Sequence, residues 1–346
     1  MAKKTEAYDK LRADVAAGTP EKLYVFYGEE SYLKEHYKQR LMQQMSEGGL
    51  GDFNVTVLDG DAVTADALTD AVESLPAMSD RKLLLIRDFN FSKPPADTKE
   101  LLTQFLAELP EYLCLIFYFD TLEYKPDKRM KLWQVLEKNA QVVEFKRAPQ
   151  SELNAWIKRR FQALGKNIDT ADCEYLTFQC GGLMTNLASE IDKIASGTLA
   201  DAVSAKEIDL LASKALEAQI WQLTDKVSGG DHRAAIETLR DLLAMRFEPV
   251  VLSGAIAKQI EKLYGAKLAM NMGYGEGELM KLFAIRSQYP ASLLLKAARK
   301  KSLPWLRRAL LLCNQADQEL KSNLSDANRT LELLLLRLAR LEEGAR

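Results

Sequence analysis

The chain has 346 residues, 47% hydrophobic and 28% charged, with 47 lysines and arginines against 49 acids. That length provides two or three domains with a core in each, and the composition is that of a globular protein, neither disordered nor fibrous. With the charges so nearly balanced, no net field draws the whole chain onto nucleic acid, and any such contact must be local or shared with partners.

The longest apolar runs, such as 113–119, fall far short of the ~20 residues that a membrane span requires, so no membrane partner is expected. Met1-Ala2-Lys3-Lys4-Thr5-Glu6 lacks the apolar stretch of a secretory signal. Cys114, Cys173, Cys180 and Cys313 have neither metal nor redox spacing. A reducing, cytoplasmic setting is the expectation.

In chain order, Leu23-Tyr24-Val25-Phe26-Tyr27 reads as a strand that ends at Gly28 and opens into a helix through Glu29 and Glu30. This is the layout of a nucleotide site. A phosphate-cradling loop, however, needs several glycines for converging N–H groups, and a lysine followed by Ser or Thr. Here there is one glycine and no lysine, and the two acids would repel a phosphate from the positive end of the helix. No cofactor is expected at this turn.

Further short apolar runs follow at 55–58, 82–86, 113–119 and 142–145, the pattern of central strands in a parallel sheet covered on both faces. Helical patterns lie between them near 30–46, 64–75, 97–109 and 127–138, with Thr64, Asp97 and Asp127 as candidate N-caps for the last three. Gly48-Gly49-Leu50-Gly51 precedes a strand and lacks lysine, so it reads as a connector. After residue 146 the strand signal vanishes, and helices follow one another with breaks at Gly165, Gly181-Gly182, Gly197, Gly229-Gly230 and 273–277. The expected class is α/β plus all-α. The expected domains are 1–146, then 147–211 with short helices, then 212–346 with long ones. In the last helix, capped by Ser325, leucines at 331, 333, 334, 335, 336, 338 and 341 cover more than one face. That helix is therefore either central in its own bundle or packed against another subunit.

Catalytic chemistry is nearly absent. His36 and His232 have no cysteine, carboxylate or second histidine at ligand spacing and read as surface residues. Asp120 ends a strand where an ATPase could hold magnesium, but no second acid adjoins it in the sequence, and it reads as a turn residue. No metal site is expected.

Two surface constellations remain. In Ser74-Leu75-Pro76-Ala77-Met78-Ser79-Asp80-Arg81, Pro76 stops the preceding helix and leaves Leu75 and Met78 on a bend. Either they form a plug for a partner's apolar pocket or they fold back to seal the sheet, which is the commoner arrangement. Lys296, Arg299, Lys300, Lys301, Arg307 and Arg308 surround Trp305. This cluster can touch phosphates or another subunit, although a solvated helix face is commoner.

Several segments resemble the bacterial DNA polymerase III delta subunit family. They are 24–33, 74–83, Asp127-Lys128-Arg129-Met130-Lys131-Leu132, Trp156-Ile157-Lys158-Arg159-Arg160-Phe161, Gly165-Lys166-Asn167-Ile168 and 186–194. In the last third, Glu248-Pro249-Val250, Tyr289-Pro290 and 317–322 keep the family's order and spacing. The resemblance spans nearly the whole chain. It implies an AAA+-like module without a working ATP site, a small helical lid, and a helical collar that joins the other clamp-loader subunits.

The resemblance further implies a protein that binds the ring-shaped sliding clamp (beta) and opens it for loading on primed DNA during replication. It would have no active site of its own, and would be a component of the DNA-directed DNA polymerase III holoenzyme, a nucleotidyltransferase complex. Partners implied are the clamp, the motor and delta-prime subunits through the collar, and primed DNA within the complex. By position, Leu75 is the clamp anchor, with Pro76 and Met78 beside it, where some members carry a Leu-Phe pair. Lys296, Arg299, Lys300, Trp305 and Arg308 are candidates for DNA or subunit contact. An AAA+ ATPase with a degenerate site and a DNA-binding scaffold are the alternatives.

Overall fold

The computed structural model describes residues 2–46, 51–94, 96–127, 129–322 and 326–343; the connector at 48–50 and the cap at Ser325 lie outside them. The chain divides into two compact units, Met1–Ala148 with Leu183–Thr185, and Pro149–Gly182 with Asn186–Arg346.

The first unit is built on a parallel sheet of β1 (Leu23–Tyr27), β2 (Val55–Asp59), β3 (Lys82–Arg87), β4 (Leu113–Tyr118) and β5 (Gln141–Glu144), in the order β2-β3-β4-β1-β5. All these strands lie where the apolar runs predict them. In the middle of the sheet Val25 pairs with Phe117 on one side and Val142 on the other. β1 and β4 are buried along their whole length, because alternate side chains feed two separate cores. Val25, Leu84, Leu115 and Phe117 enter one core. Tyr24, Phe26, Leu85 and Ile116 enter the other, with Leu11 and Leu41.

The covering helices are α1 (Ala2–Ala17), α2 (Ser31–Ser46), α3 (Ala65–Glu73), α4 (Ala96–Ala107) and α5 (Lys131–Asn139). Helix α1 carries no expectation from the sequence, yet Leu11 and Val15 are buried on it. Thr64 caps α3 as expected, its hydroxyl accepting from Ala67 N at 3.2 Å. Helix α3 ends at Glu73, two residues short of the predicted end, because Pro76 disfavours helical backbone at Leu75 and Ser74 is already non-helical. Neither of the other caps forms. Asp97 lies inside α4, its carboxylate accepting from Thr98 N at 2.8 Å. Asp127 shapes a turn with Arg129 at 2.9 Å, while α5 starts at Lys131 behind Met130.

The second unit contains α6 (Gln150–Ala163), α7 (Thr170–Cys180), most of α8 (Met184–Gly197) and α9 (Ala205–Leu211). Here the all-helical expectation needs correction, since β6 (Asn167–Ile168) and β7 (Ala202–Val203) pair in parallel. Two-residue strands are too short to leave a periodic signal. Further helices follow: α10 (Leu216–Gly229), α11 (His232–Ala244), α12 (Pro249–Asn271), α13 (Glu276–Leu282), α14 (Gln288–Arg299), α15 (Leu303–Lys321) and α16 (Ala327–Glu343), of which α12, α15 and α16 are longer than those that precede α10. Phe178 on α7 meets Trp221 on α10 and Tyr289 on α14, ring centroids 6.3 and 5.4 Å apart. The expected boundary near residue 211 therefore falls within one packed unit.

Helix α12 runs through the centre of the long helices with Leu252, Ile256, Ile260 and Leu263 buried at helical spacing. On α16, Leu331, Leu334, Leu335 and Leu338 are buried in the same core. Leu333 and Leu336 face outward at 37% and 46% exposure. One face of the leucine-rich helix is thus packed into its own bundle, and two leucines stay at the surface.

Candidate functional site

The β1–α2 turn is set by Gly28. Gly28 has φ +118, and a Cβ there would stand 2.3 Å from the carbonyl oxygen of Phe145, so only glycine lets the turn pass so close to the chain leaving β5. The next residues fill the turn with their own charges. Glu29 lies 2.9 Å from the Arg147 guanidinium. Glu30 is fully buried, donates its N–H to Phe145 O at 3.0 Å, and accepts from Met184 N at 3.3 Å. Burial pushes its carboxyl above the usual range against the pull of that hydrogen bond and of Arg147.

Lys34, also buried, sends its ammonium to the carbonyl oxygen of Phe119 at 2.6 Å. Burial lowers its pKa, with Asp120 and Asp88 acting in the opposite sense. The sequence sets no acid beside Asp120, but the fold brings Asp88 there from the end of β3. The Asp88 carboxylate accepts from the backbone of Asp120, Thr121 and Leu122 and from the Thr121 hydroxyl, at 2.7–3.2 Å. Burial raises its pKa less than these bonds lower it, so it stays below the ordinary range. Both of its oxygens are thus committed to the loop. Among the described residues no group of three or more His, Cys, Asp or Glu gathers in metal-binding fashion.

His36 is exposed on α2, and His232 is half-buried at the start of α11. All the cysteines are free and buried. No helix among the described residues is long and apolar enough to cross a membrane.

The segment between α3 and β3 is built differently. Leu75 and Met78 do not fold back onto the sheet: they are 77% and 84% exposed, with Pro76 half-buried between them. The backbone carrying them is fixed at both ends. Buried Lys82 donates to the carbonyls of Ala71 (2.8 Å) and Ser74 and to the Ser74 hydroxyl (2.7 Å), closing the C-terminal end of α3. Arg81 donates to Pro20 O at 2.9 Å. In the middle, Asn54 bonds the Ala77 peptide twice, at 2.9 and 2.6 Å. Met78 itself is held at φ +51, in the left-handed region. Two large apolar side chains thus stand in solvent on a backbone tied down around them. The sequence points to Leu75, Pro76 and Met78 as candidates but gives no sign of Asn54 or Lys82, whose partners are distant in the chain and leave no local pattern.

The basic constellation is split by burial. Lys296, Arg299, Lys300, Arg307 and Arg308 are exposed, whereas Trp305 is 7% exposed and belongs to the core of the long helices. Lys301 lies over its ring at 4.6 Å, and Lys300 pairs with Asp225 at 2.7 Å.

A parallel sheet of this order, covered by helices on both faces and followed by a helical region, is an AAA+-like fold, here with two acids where a phosphate loop would carry its glycines and lysine. The family model described as DNA polymerase III, delta subunit matches residues 24–146, and the one for the DNA polymerase III delta subunit, C-terminal domain matches 217–338. The chain belongs to the DNA polymerase III delta subunit family. DNA polymerase III subunit delta of Bacillus subtilis is 24% identical over 328 residues, covering 93% of this chain and 94% of that protein. The probable DNA polymerase III subunit delta of Aquifex aeolicus is 23% identical over 282 residues, covering 78% and 77%. The solved structure of the Bacillus subtilis DNA clamp loader delta protein shares the fold, with a TM-score of 0.56 at 23% identity over 96% of this chain and 99% of that one.

Proposed function

We propose that this protein is the delta subunit of a DNA polymerase III clamp loader, and that it binds the sliding clamp and springs the ring open for loading on primed DNA. The observation that carries the reading is the α3–β3 segment, where Leu75 and Met78 are exposed on a bonded backbone. Apolar anchors that enter a partner's pocket supply most of the energy of many interfaces. In the same reading the chain does not hydrolyse ATP, because Glu29, Glu30 and Lys34 fill the turn. Motor subunits beside it hydrolyse ATP and govern when the plug is presented. Residues 147–211 act as a lid, and 212–346 act as the collar that joins the motor and delta-prime subunits. The exposed basic side chains from Lys296 to Arg308 contact DNA or a neighbouring subunit within the complex. The setting is the cytoplasm.

Opening is then a shift between two clamp states. The subunit moves that equilibrium only by the difference in its affinity for open and closed rings. Two measurements on the purified chain and its cognate clamp test this together: affinity by surface plasmon resonance, and ring opening by a fluorophore pair across the clamp interface. Binding with separation of the pair supports the reading. Absence of binding overturns it, and tight salt-dependent DNA affinity without partners would favour the scaffold alternative.

A further inference from the structure

Asn54 closes the short 3-10 turn Gly51–Asn54 that leads into β2, and is 3% exposed. Its Nδ2 donates to Ala77 O at 2.9 Å, and its Oδ1 accepts from Ala77 N at 2.6 Å. A carboxamide offers a donor and an acceptor in one plane, as a peptide does, so it can satisfy both polar groups of a single residue as a neighbouring strand would. Ala77 lies between Leu75 and Met78. A buried amide is costly unless bonded, and both of these side-chain bonds go to that one loop residue. With Lys82 fixing Ser74 at the other end, the backbone of the segment is specified while the two apolar side chains are left without intramolecular work.

We propose that Asn54 is a positioning residue for clamp binding: its carboxamide holds the Ala77 peptide so that Leu75 and Met78 are presented in a bound-ready arrangement before the clamp arrives. The proposal rests on the reading of Leu75 and Met78 as the clamp plug. A preorganised loop loses little freedom on docking, and a loop freed of this bracket has to be ordered at the moment of binding, at the expense of affinity. Phe53, the next residue toward the N-terminus, is itself 77% exposed.

The test uses the full chain. Hydrogen exchange on the free wild-type protein should show the Ala77 amide protected, with protection lost in Asn54→Ala. Clamp affinity is then measured for Asn54→Ala, Leu75→Ala and the double variant. The expectation is that Asn54→Ala weakens binding about tenfold, and that this loss largely disappears in the Leu75→Ala background, since the residue acts through the plug. If Asn54→Ala does not fold, Ala77→Pro removes the N–H half of the bracket from the loop side and should weaken binding in the same coupled way. A Leu75→Ala effect with full affinity in the Asn54 variant, additive losses, or an unprotected Ala77 amide would each overturn the proposal. If Leu75→Ala itself leaves affinity unchanged, the plug reading has failed, and the role of Asn54 fails with it.

Discussion

The ammonium of Lys34 and the carbonyl of Phe119 meet at 2.6 Å across 85 residues of sequence. The bond places a cation at the C-terminal end of β4, beside Asp88 and Asp120, in a sheet of the type that elsewhere binds nucleotides there. At the adjoining turn Glu30 is turned inward and fully buried, so in the proposed reading the chain's own charges leave no room for a phosphate and its metal ion.

The isolated chain should therefore neither bind nor hydrolyse ATP. Titration with a fluorescent ATP analogue, with and without magnesium, should show no saturable signal up to millimolar concentration. Micromolar binding by the wild-type chain, lost on Lys34→Met, would contradict this account of the turn.

Glu30 offers a test through pH. Its folded-state pKa is raised, chiefly by burial, so its favourable contribution is complete only below the unfolded value and is lost as pH rises through the folded one. At neutral pH the buried carboxylate is a cost. Glu30→Gln keeps an oxygen for Met184 N without the charge, and should raise Tm at pH 7 by a few degrees, about 1 kcal/mol. The gain should shrink to nothing below about pH 4, where wild-type Glu30 is protonated in both states. An equal gain at both pH values would show that charge burial is not the cause.

Leu75→Asp should abolish clamp binding without unfolding the protein. The side chain is 77% exposed, so the free chain loses little by the change. In the complex a carboxylate would have to be desolvated against an apolar pocket, at roughly 3 kcal/mol or more, over a hundredfold in Kd. Unaltered Tm with lost binding is the expected pair of results, and retained affinity in the folded variant would move the clamp site elsewhere.

The two faces of α16 should separate stability from assembly. Leu334 is fully buried, and Leu334→Ala should cost about 2–5 kcal/mol in urea unfolding. Leu336 is 46% exposed, and Leu336→Asp should leave stability nearly unchanged while weakening entry into a complex with the motor and delta-prime subunits. Size-exclusion chromatography of the reconstituted loader reads the second effect; full incorporation of Leu336→Asp would argue against a collar contact on this face.

The sheet was legible in the sequence because each strand is a short apolar run bounded by turn residues, and β1, β3 and β4 are buried on both faces. Helix α1 was not, since Tyr8, Leu11 and Val15 form a thin stripe among charged residues that has meaning only once the sheet is there to receive it. Asp97 and Asp127 have the right chemistry for caps, but tertiary packing started the helices elsewhere. In the segment between α3 and β3 the bend at Leu75 and Met78 could be read from the stop imposed by Pro76, but the residues alone favoured side chains folded back onto the sheet. The support of the segment could not be read, because a carboxamide at position 54 gives no hint that it will grip a peptide at position 77.

Met78 carries a further implication. A bend whose only duty was to reverse direction would place glycine or asparagine at a backbone of φ +51, where a longer side chain raises the energy by about 1 kcal/mol or more. Anyone engineering this chain for heat tolerance would be led to Met78→Gly by that logic alone. The substitution would relax the backbone and remove a thioether that is 84% exposed, yielding a sturdier protein with a blunter tip. The discomfort at this residue thus marks a spot where natural variants selected for durability and those selected for grip should diverge.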